Sequence, residues 1–143
     1  MSAEQETYKP MSTEERLKKR KLANRMMDSL EKHVFICDGI CCVRKGNAPE
    51  VIAAFREELK ETGMAHRIKL SEVKCLSRCA DAGSMVVYPE GVWYQGVSTD
   101  DVKEIVQQHF IEGRPIEERI AYSRSEEGKF VRSPLFPSDE YIV

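Results

Sequence analysis

The chain has 143 residues, of which 41% are hydrophobic and 32% charged, and its formal net charge is −2. This length predicts one domain with a core of its own, and the near-neutral charge argues against nucleic acid or an anionic membrane as the main partner. No apolar run approaches the roughly 20 residues that cross a bilayer, and the first 21 residues lack a signal-peptide core. A cytoplasmic protein with reduced thiols is therefore expected.

The first predicted element is a helix near the N-terminus. Ser12 followed by Glu15 is a capping-box pattern that starts a helix at Thr13. Apolar residues form one stripe along it, and its other faces are strongly basic. The pattern fits either a helix packed on the domain with solvated basic faces or a docking arm for an acidic partner. The basic residues are Arg16, Lys18, Lys19, Arg20, Lys21 and Arg25.

A strand, a helix and a second strand follow. "HVFIC" (33–37) is an apolar, β-branched run typical of a buried strand. "PEVIAAFREELKETG" (49–63) predicts a helix with Pro49 in its first turn and Gly63 just past its end. "HRIKL" (66–70) alternates weakly and is the second strand. A helical crossover between two strands implies that they are parallel.

A hairpin and a last helix complete the ordered part. "MVVY" (85–88) and "VWYQ" (92–95) flank the short turn "PEG". The helix covers 98–113, is capped by Ser98 with Asp101, and ends at a glycine. The element order predicts an α/β fold: a thioredoxin-like mixed four-stranded sheet flanked by helices.

The segment after Pro115 loses this periodicity and reads as an extended C-terminal tail. The predicted organisation is therefore a charged N-terminal segment with one helix (1–32), a central domain (33–115) and the tail (116–143). Four apolar residues of the tail suggest that it lies on the domain or on a partner: Leu135, Phe136, Tyr141 and Ile142.

Five cysteines fall in two groups on this map. Cys37 closes the first strand, Cys41 and Cys42 lie in the loop after it, and Cys75 and Cys79 lie in the loop entering the hairpin. Loops that leave the carboxyl ends of parallel strands lie at the same edge of a sheet. The sequence therefore predicts a site of four sulfurs at that edge.

Four thiolates suit either zinc or an iron–sulfur cluster. The chain contains no C-x2-C, which argues against a zinc knuckle and against a thioredoxin-type redox pair. The common bacterial and plant-type ferredoxin runs are also missing. Neither a P-loop nor a G-x-G-x-x-G is present, and the three histidines are dispersed, so hydrolytic and nucleotide chemistry are not expected.

Three segments resemble the thioredoxin-like 2Fe–2S ferredoxins, a module that also occurs in the small subunit of NADH dehydrogenases. They are "HVFICDGICCVRKGN", "CLSRC" and "VVYPEGVWYQGVSTDDVKEIVQQH", within about residues 33 to 115. The resemblance implies a 2Fe–2S electron carrier that is not an enzyme, holds one cluster per chain, serves redox partner proteins and forms a homodimer. The alternatives are a subunit of a larger NADH dehydrogenase or hydrogenase-type complex and a structural four-cysteine zinc module.

The family pattern has its second cysteine four positions before a glycine, and Gly46 stands four after Cys42. The resemblance therefore implies four ligands: Cys37, Cys42, Cys75 and Cys79. Cys41 is then a packing residue beside the cluster. Three glycines are placed where close backbone approach to the site is easy: Gly39, Gly46 and Gly83. The segment after Cys79 departs from the family in carrying Asp81 and Ser84 and no proline.

Overall fold

The computed structural model describes residues 9–136. The chain divides into two units, Met1–Leu30 and Glu31–Val143. The first unit contains helix α1, Thr13–Ser29. The Ser12 hydroxyl accepts the N–H of Glu15 at 3.1 Å, so the predicted start of this helix is confirmed.

The second unit is built on one six-stranded sheet in the order β2-β1-β3-β4-β5-β6. Strands β1 and β2 are parallel, and every other neighbouring pair is antiparallel. The predicted mixed sheet, with its parallel pair followed by a hairpin, is confirmed, but it has six strands and not four, because two strands of the C-terminal segment extend it. The strands are β1 Lys32–Cys37, β2 Ile68–Val73, β3 Met85–Tyr88, β4 Val92–Tyr94, β5 Ile120–Arg124 and β6 Phe130–Arg132.

Three helices accompany this sheet. They are α2 Ile40–Gly46, α3 Ala48–Glu61, and α4 Val102–Glu104, which continues as a π-helix over Ile105–Ile111. The apolar stripe of α3 is buried, and it joins α4 and the inner face of the sheet in a single core. Phe55 of α3 and Phe110 of the π-helix meet there with ring centroids 6.2 Å apart.

The expectation that Cys41 and Cys42 lie in a loop is wrong, because both belong to helix α2. The helix has only seven residues, too few for an apolar period to show in the sequence. Asn47, in the left-handed region at φ 50°, ends α2 and leads directly into α3. Asparagine tolerates this conformation better than most residues, which allows the sharp junction.

The C-terminal segment is more ordered than the extended tail that the sequence predicts. Strand β5 pairs with β4, which would otherwise be a sheet edge with unpaired backbone groups, and β6 pairs with β5. Phe136 packs against Tyr122 with ring centroids 6.3 Å apart, so part of the tail does lie on the domain. Tyr141 and Ile142 lie outside the described residues.

Candidate metal centre

The first group of cysteines is positioned by β1 and α2. Cys37 is the last residue of β1, and its N–H donates to the Ser84 carbonyl at 3.1 Å. The Gly39 N–H points at the Cys37 sulfur, 3.4 Å away. Cys42 is 2% exposed, whereas Cys41 is only half-buried. This group therefore presents two covered thiols and one partly open to solvent.

The second group follows β2, the parallel neighbour of β1. Ser77, with a positive φ of 61°, turns the chain so that its N–H donates to the Cys75 sulfur at 3.2 Å. Cys79 opens a short 3₁₀ turn, Cys79–Asp81. Both cysteines of this group are exposed. The site is therefore buried on the side of the first group and open on the side of the second.

Glycines let the chain segments around the cysteines approach closely. A Cβ on Gly39 would collide with the Lys74 carbonyl oxygen, and one on Gly46 would lie 2.6 Å from the Gly83 nitrogen. Gly83 in turn lies against the Val97 backbone, where a Cβ would be 2.5 Å from a carbonyl oxygen. The predicted approach to the site is confirmed at Gly39, whose N–H reaches the Cys37 sulfur, whereas Gly46 and Gly83 approach neighbouring backbone instead.

The thiols perturb one another. Burial raises the pKa of Cys42 to about 11; a backbone hydrogen bond at Ser84 opposes this rise, and the Cys37 thiol adds to it. The pKa of Cys79 is raised first by its hydrogen bond with Cys41, then by the charge of Cys41 and by Cys75. All five sulfurs thus lie within interaction range, as the prediction of one shared site requires.

Among the four predicted ligands, Cys42 interacts with Cys37 and Cys79 interacts with Cys75, and an electrostatic interaction between Cys42 and Cys79 links the two pairs. Within residues 9–136, no three His, Cys, Asp or Glu side chains converge as ligands of a single metal ion. A 2Fe–2S cluster is held by four thiolates shared between two irons, so two pairs of thiols match its demands. The donor set and the two N–H groups aimed at sulfur fit such a cluster.

Two polar residues near the site have partners that the sequence did not reveal. The guanidinium of Arg78, which lies between Cys75 and Cys79 in the chain, donates to the Asp81 carboxylate at 2.6 Å. The hydroxyl of Ser84 donates to the Arg78 carbonyl at 3.1 Å. Asp81 is therefore half of an ion pair. The sequence singled out Asp81 and Ser84 but not Arg78, their shared partner, because no motif marks it.

Two of the histidines have structural partners. His33 Nε2 lies 2.8 Å from the Ser71 hydroxyl. The fully buried His109 joins the Tyr94 hydroxyl and the Glu90 carboxylate, each at 2.6 Å. These contacts give both histidines a structural role.

Among residues 9–136, the helices are all too short or too polar to cross a membrane.

Comparison with known proteins places this site in a family. The family model of the thioredoxin-like 2Fe-2S ferredoxin matches residues 25–109. The chain is 33% identical over 93 residues to a 2Fe-2S ferredoxin of Clostridium pasteurianum, covering 59% of this chain and 89% of that protein. It is 32% identical over 109 residues to a 2Fe-2S ferredoxin of Aquifex aeolicus, covering 69% and 96%.

A solved structure agrees with these relatives. The thioredoxin-like 2Fe-2S ferredoxin from Aquifex aeolicus superposes with a TM-score of 0.60 at 31% identity, covering 69% of this chain and 97% of that one. The fold and the sequence match agree with one another. The chain belongs to the thioredoxin-like 2Fe-2S ferredoxin family.

Proposed function

We propose that this protein is a one-electron carrier that holds one 2Fe–2S cluster through Cys37, Cys42, Cys75 and Cys79. The observation that carries the proposal is the meeting of two thiol pairs, from two separate chain segments, at one edge of the sheet. A cluster held in this way accepts and releases one electron at a time.

The protein's own groups prepare the site for the cluster. The N–H groups of Gly39 and Ser77 donate to sulfur and stabilise the negative charge of the thiolates. Burial raises the pKa of Cys42 to about 11, and contacts with Cys41 and Cys75 raise the pKa of Cys79, so both shifts oppose the loss of protons that iron binding requires. Four anionic ligands favour the oxidised state, and a low reduction potential follows.

The two cysteine groups differ in solvent exposure, and this difference indicates where a redox partner contacts the protein. Cys37 and Cys42 are 5% and 2% exposed, whereas Cys75 and Cys79 lie at the surface. We therefore place the contact with redox partner proteins on the side of the second cysteine group. The sequence relatives are carriers named ferredoxins, and the chain covers 79 to 96% of their length. This favours a carrier over a subunit of a larger dehydrogenase and over an enzyme with its own substrate.

Two further proposals concern the location and the oligomeric state of the carrier. The first is that it works in the cytoplasm, where its thiols stay reduced until iron binds. The second is that it forms a homodimer; strand β6, at the sheet edge, offers the exposed Phe130 and Val131 for such a contact. Light scattering of the purified protein should give twice the chain mass, and a monomeric mass at all concentrations would exclude the dimer.

The carrier function is tested by a reductive titration of the anaerobically purified protein, followed by its visible absorption. We expect a partial loss of visible absorption that is complete after one electron equivalent per chain, and full recovery on reoxidation. Uptake of no electrons would leave the family fold intact and rule out the carrier function.

A further inference from the structure

The guanidinium of Arg78 packs against two aromatic rings from the far end of the chain, and these rings also contact each other. Its guanidinium carbon is 5.2 Å from the ring centroid of Tyr122 and 5.3 Å from that of Phe136. These distances are within the range in which a cation is attracted to an aromatic ring. We call Tyr122 and Phe136 the aromatic clamp.

The aromatic clamp is built by the C-terminal segment. Tyr122 belongs to β5, and Phe136 follows β6. The Ser133 N–H donates to the Ala121 carbonyl at 2.9 Å, and the Phe136 N–H donates to the Ser133 carbonyl at 3.0 Å. Ser133 is 8% exposed, so this stretch is anchored on the sheet. Both rings lie outside residues 25–109, the part that matches the family model.

Arg78 is also fixed on its other sides. Its guanidinium donates to Asp81 at 2.6 Å, and its carbonyl accepts the Ser84 hydroxyl at 3.1 Å and the Asp81 N–H at 2.9 Å. Ser84 itself is 1% exposed. The side chain and the backbone of Arg78 are therefore held at the same time. A displacement of Arg78 has to break several of these contacts.

The cysteines on either side of Arg78 have little other support. Cys75 and Cys79 are exposed, and residues 74–78 belong to no helix or strand. Ordering such a segment on metal binding costs conformational entropy, and this cost is smaller when the segment is already held in place.

We propose that Arg78 is a positioning residue of the metal centre: the aromatic clamp holds its side chain and thereby fixes the loop that presents Cys75 and Cys79. The inference rests on the proposed function for the identity of the metal group. It adds that the C-terminal segment takes part in cluster retention. Arg78 also balances the charge of Asp81, which would otherwise oppose the addition of an electron to an anionic cluster.

The first test compares Phe136→Ala with Leu135→Ala in the full-length, cluster-loaded protein. Leu135 is the neighbouring residue and is 65% exposed, so its variant is a matched control. Loss of cluster absorbance in excess chelator should be about two- to fivefold faster for Phe136→Ala, as expected for one cation–π contact, and unchanged for Leu135→Ala. Phe136→Leu, which keeps apolar bulk without an aromatic face, should behave like Phe136→Ala. If Phe136→Leu loses its cluster no faster than the wild type, the proposal that the aromatic clamp holds Arg78 is overturned.

The second test uses the reduction potential to separate the positioning role of Arg78 from the effect of its charge. Arg78→Lys keeps the charge and loses the planar group that stacks, so it should lose cluster faster at a nearly unchanged potential. Arg78→Gln should lose cluster faster and also shift to a more negative potential, because Asp81 is left uncompensated. If both variants retain the cluster as well as the wild type does, Arg78 is not a positioning residue.

The third test uses the protein without its cluster. A negative result therefore bears on the role of Arg78 and not on the proposed function. Amide hydrogen exchange of the iron-free protein reports how firmly residues 76–81 are held. We expect faster exchange in this segment for Phe136→Ala than for Leu135→Ala, with β1 and β3 unchanged in both. Equal exchange in the two variants would overturn the inference even if the protein is a ferredoxin.

Discussion

At the scale of single residues, the five thiols differ in burial and in contact. Cys42 is almost fully buried and meets Cys37, while Cys41 is half-buried and meets Cys79. Cys41 and Cys42 are adjacent on a short helix, so their side chains point in different directions. A cluster that binds one of them therefore does not require the other as a ligand. The family pattern selects Cys42, and the ligand set stays a prediction.

Serine variants of these two cysteines test that assignment. Cys42→Ser should lose the cluster or shift its spectrum, because a serine oxygen is a harder ligand than a thiolate. Cys41→Ser should retain two irons and an unchanged spectrum. Iron content and visible absorption of the two purified variants decide between them, and the opposite pattern would make Cys41 the ligand.

Glu90 is a second residue whose surroundings give a measurable expectation. Burial works to raise the pKa of Glu90, but hydrogen bonds from His109 and Lys32 outweigh it and lower the pKa from its ordinary value of 4.5 to about 2. A carboxylate with a depressed pKa stabilises the folded state above its unfolded pKa, and this contribution is lost as the pH falls. The window for the loss is therefore about pH 4.5 to 2.

Glu90→Gln should lower the free energy of unfolding at pH 7 by about 2 to 3 kcal/mol, the size that the pKa shift implies after allowance for partial exposure. Urea unfolding of the iron-free protein measures this without interference from an acid-labile cluster. The difference from the wild type should shrink below pH 4.5. Glu57→Gln, at an exposed position of α3, is the control. An equal loss of unfolding free energy in both variants would contradict a stabilising role for the hydrogen bonds of Glu90 with His109 and Lys32.

At the scale of elements, the junction between β1 and the loop after β2 decides whether the cysteines can meet. Gly39→Ala would push a Cβ into the Lys74 carbonyl and force the two segments apart. Overpacking of this kind costs about 1 to 3 kcal/mol, and here it also displaces Cys37 from Cys75. We expect a lower iron content per chain in the purified variant.

Gly63→Ala is the matched control for that variant. Gly63 has a φ of +72° and nothing within 4 Å of an added Cβ. Its substitution should cost about 1 kcal/mol through backbone strain alone and should leave the iron content unchanged. If the two alanine variants bind iron equally well, the close approach at Gly39 is unimportant for the site.

The sequence predicts those elements whose apolar pattern is local. "HVFIC" and "MVVY" are β-branched and buried, and the stripe of α3 repeats with helical spacing, so all three were predicted close to their true bounds. Helix α2 was missed because its seven residues are too few to show a helical period. Strand β6 was missed because all three of its residues are exposed and its order comes from pairing with β5.

For the metal centre as well, the sequence predicts some features and not others. The shared edge of the parallel strands and the close approach at Gly39 follow from chain order and residue type. The contact between Cys41 and Cys79 and the packing of Arg78 against the aromatic clamp do not, because they depend on side chains that come together only in the folded chain.

At the scale of the whole molecule, the first cysteine group belongs to the core, whereas the second lies outside it: Cys37 and Cys42 are buried among the core residues. The core contains fully buried side chains from the sheet and the helices, among them Val34, Phe55 and Ile105. The exposed cysteines of the second group contribute little to it. The second unit should therefore keep its fold when the cluster is removed.

Removal of iron by a chelator under reducing conditions tests this expectation. We expect the far-ultraviolet circular dichroism to stay near that of the loaded protein, while amide exchange rises mainly in residues 37–42 and 75–79. Loss of the β-sheet signal would show that the cluster is required for folding.

The most direct test of the central claim is an electron paramagnetic resonance spectrum of the anaerobically purified protein before and after dithionite, with iron and acid-labile sulfide assayed on the same sample. A 2Fe–2S cluster predicts two irons and two sulfides per chain, no signal when oxidised, and a spin-half signal when reduced. A colourless protein with one zinc and no signal would contradict the account and make the four thiolates a structural zinc site.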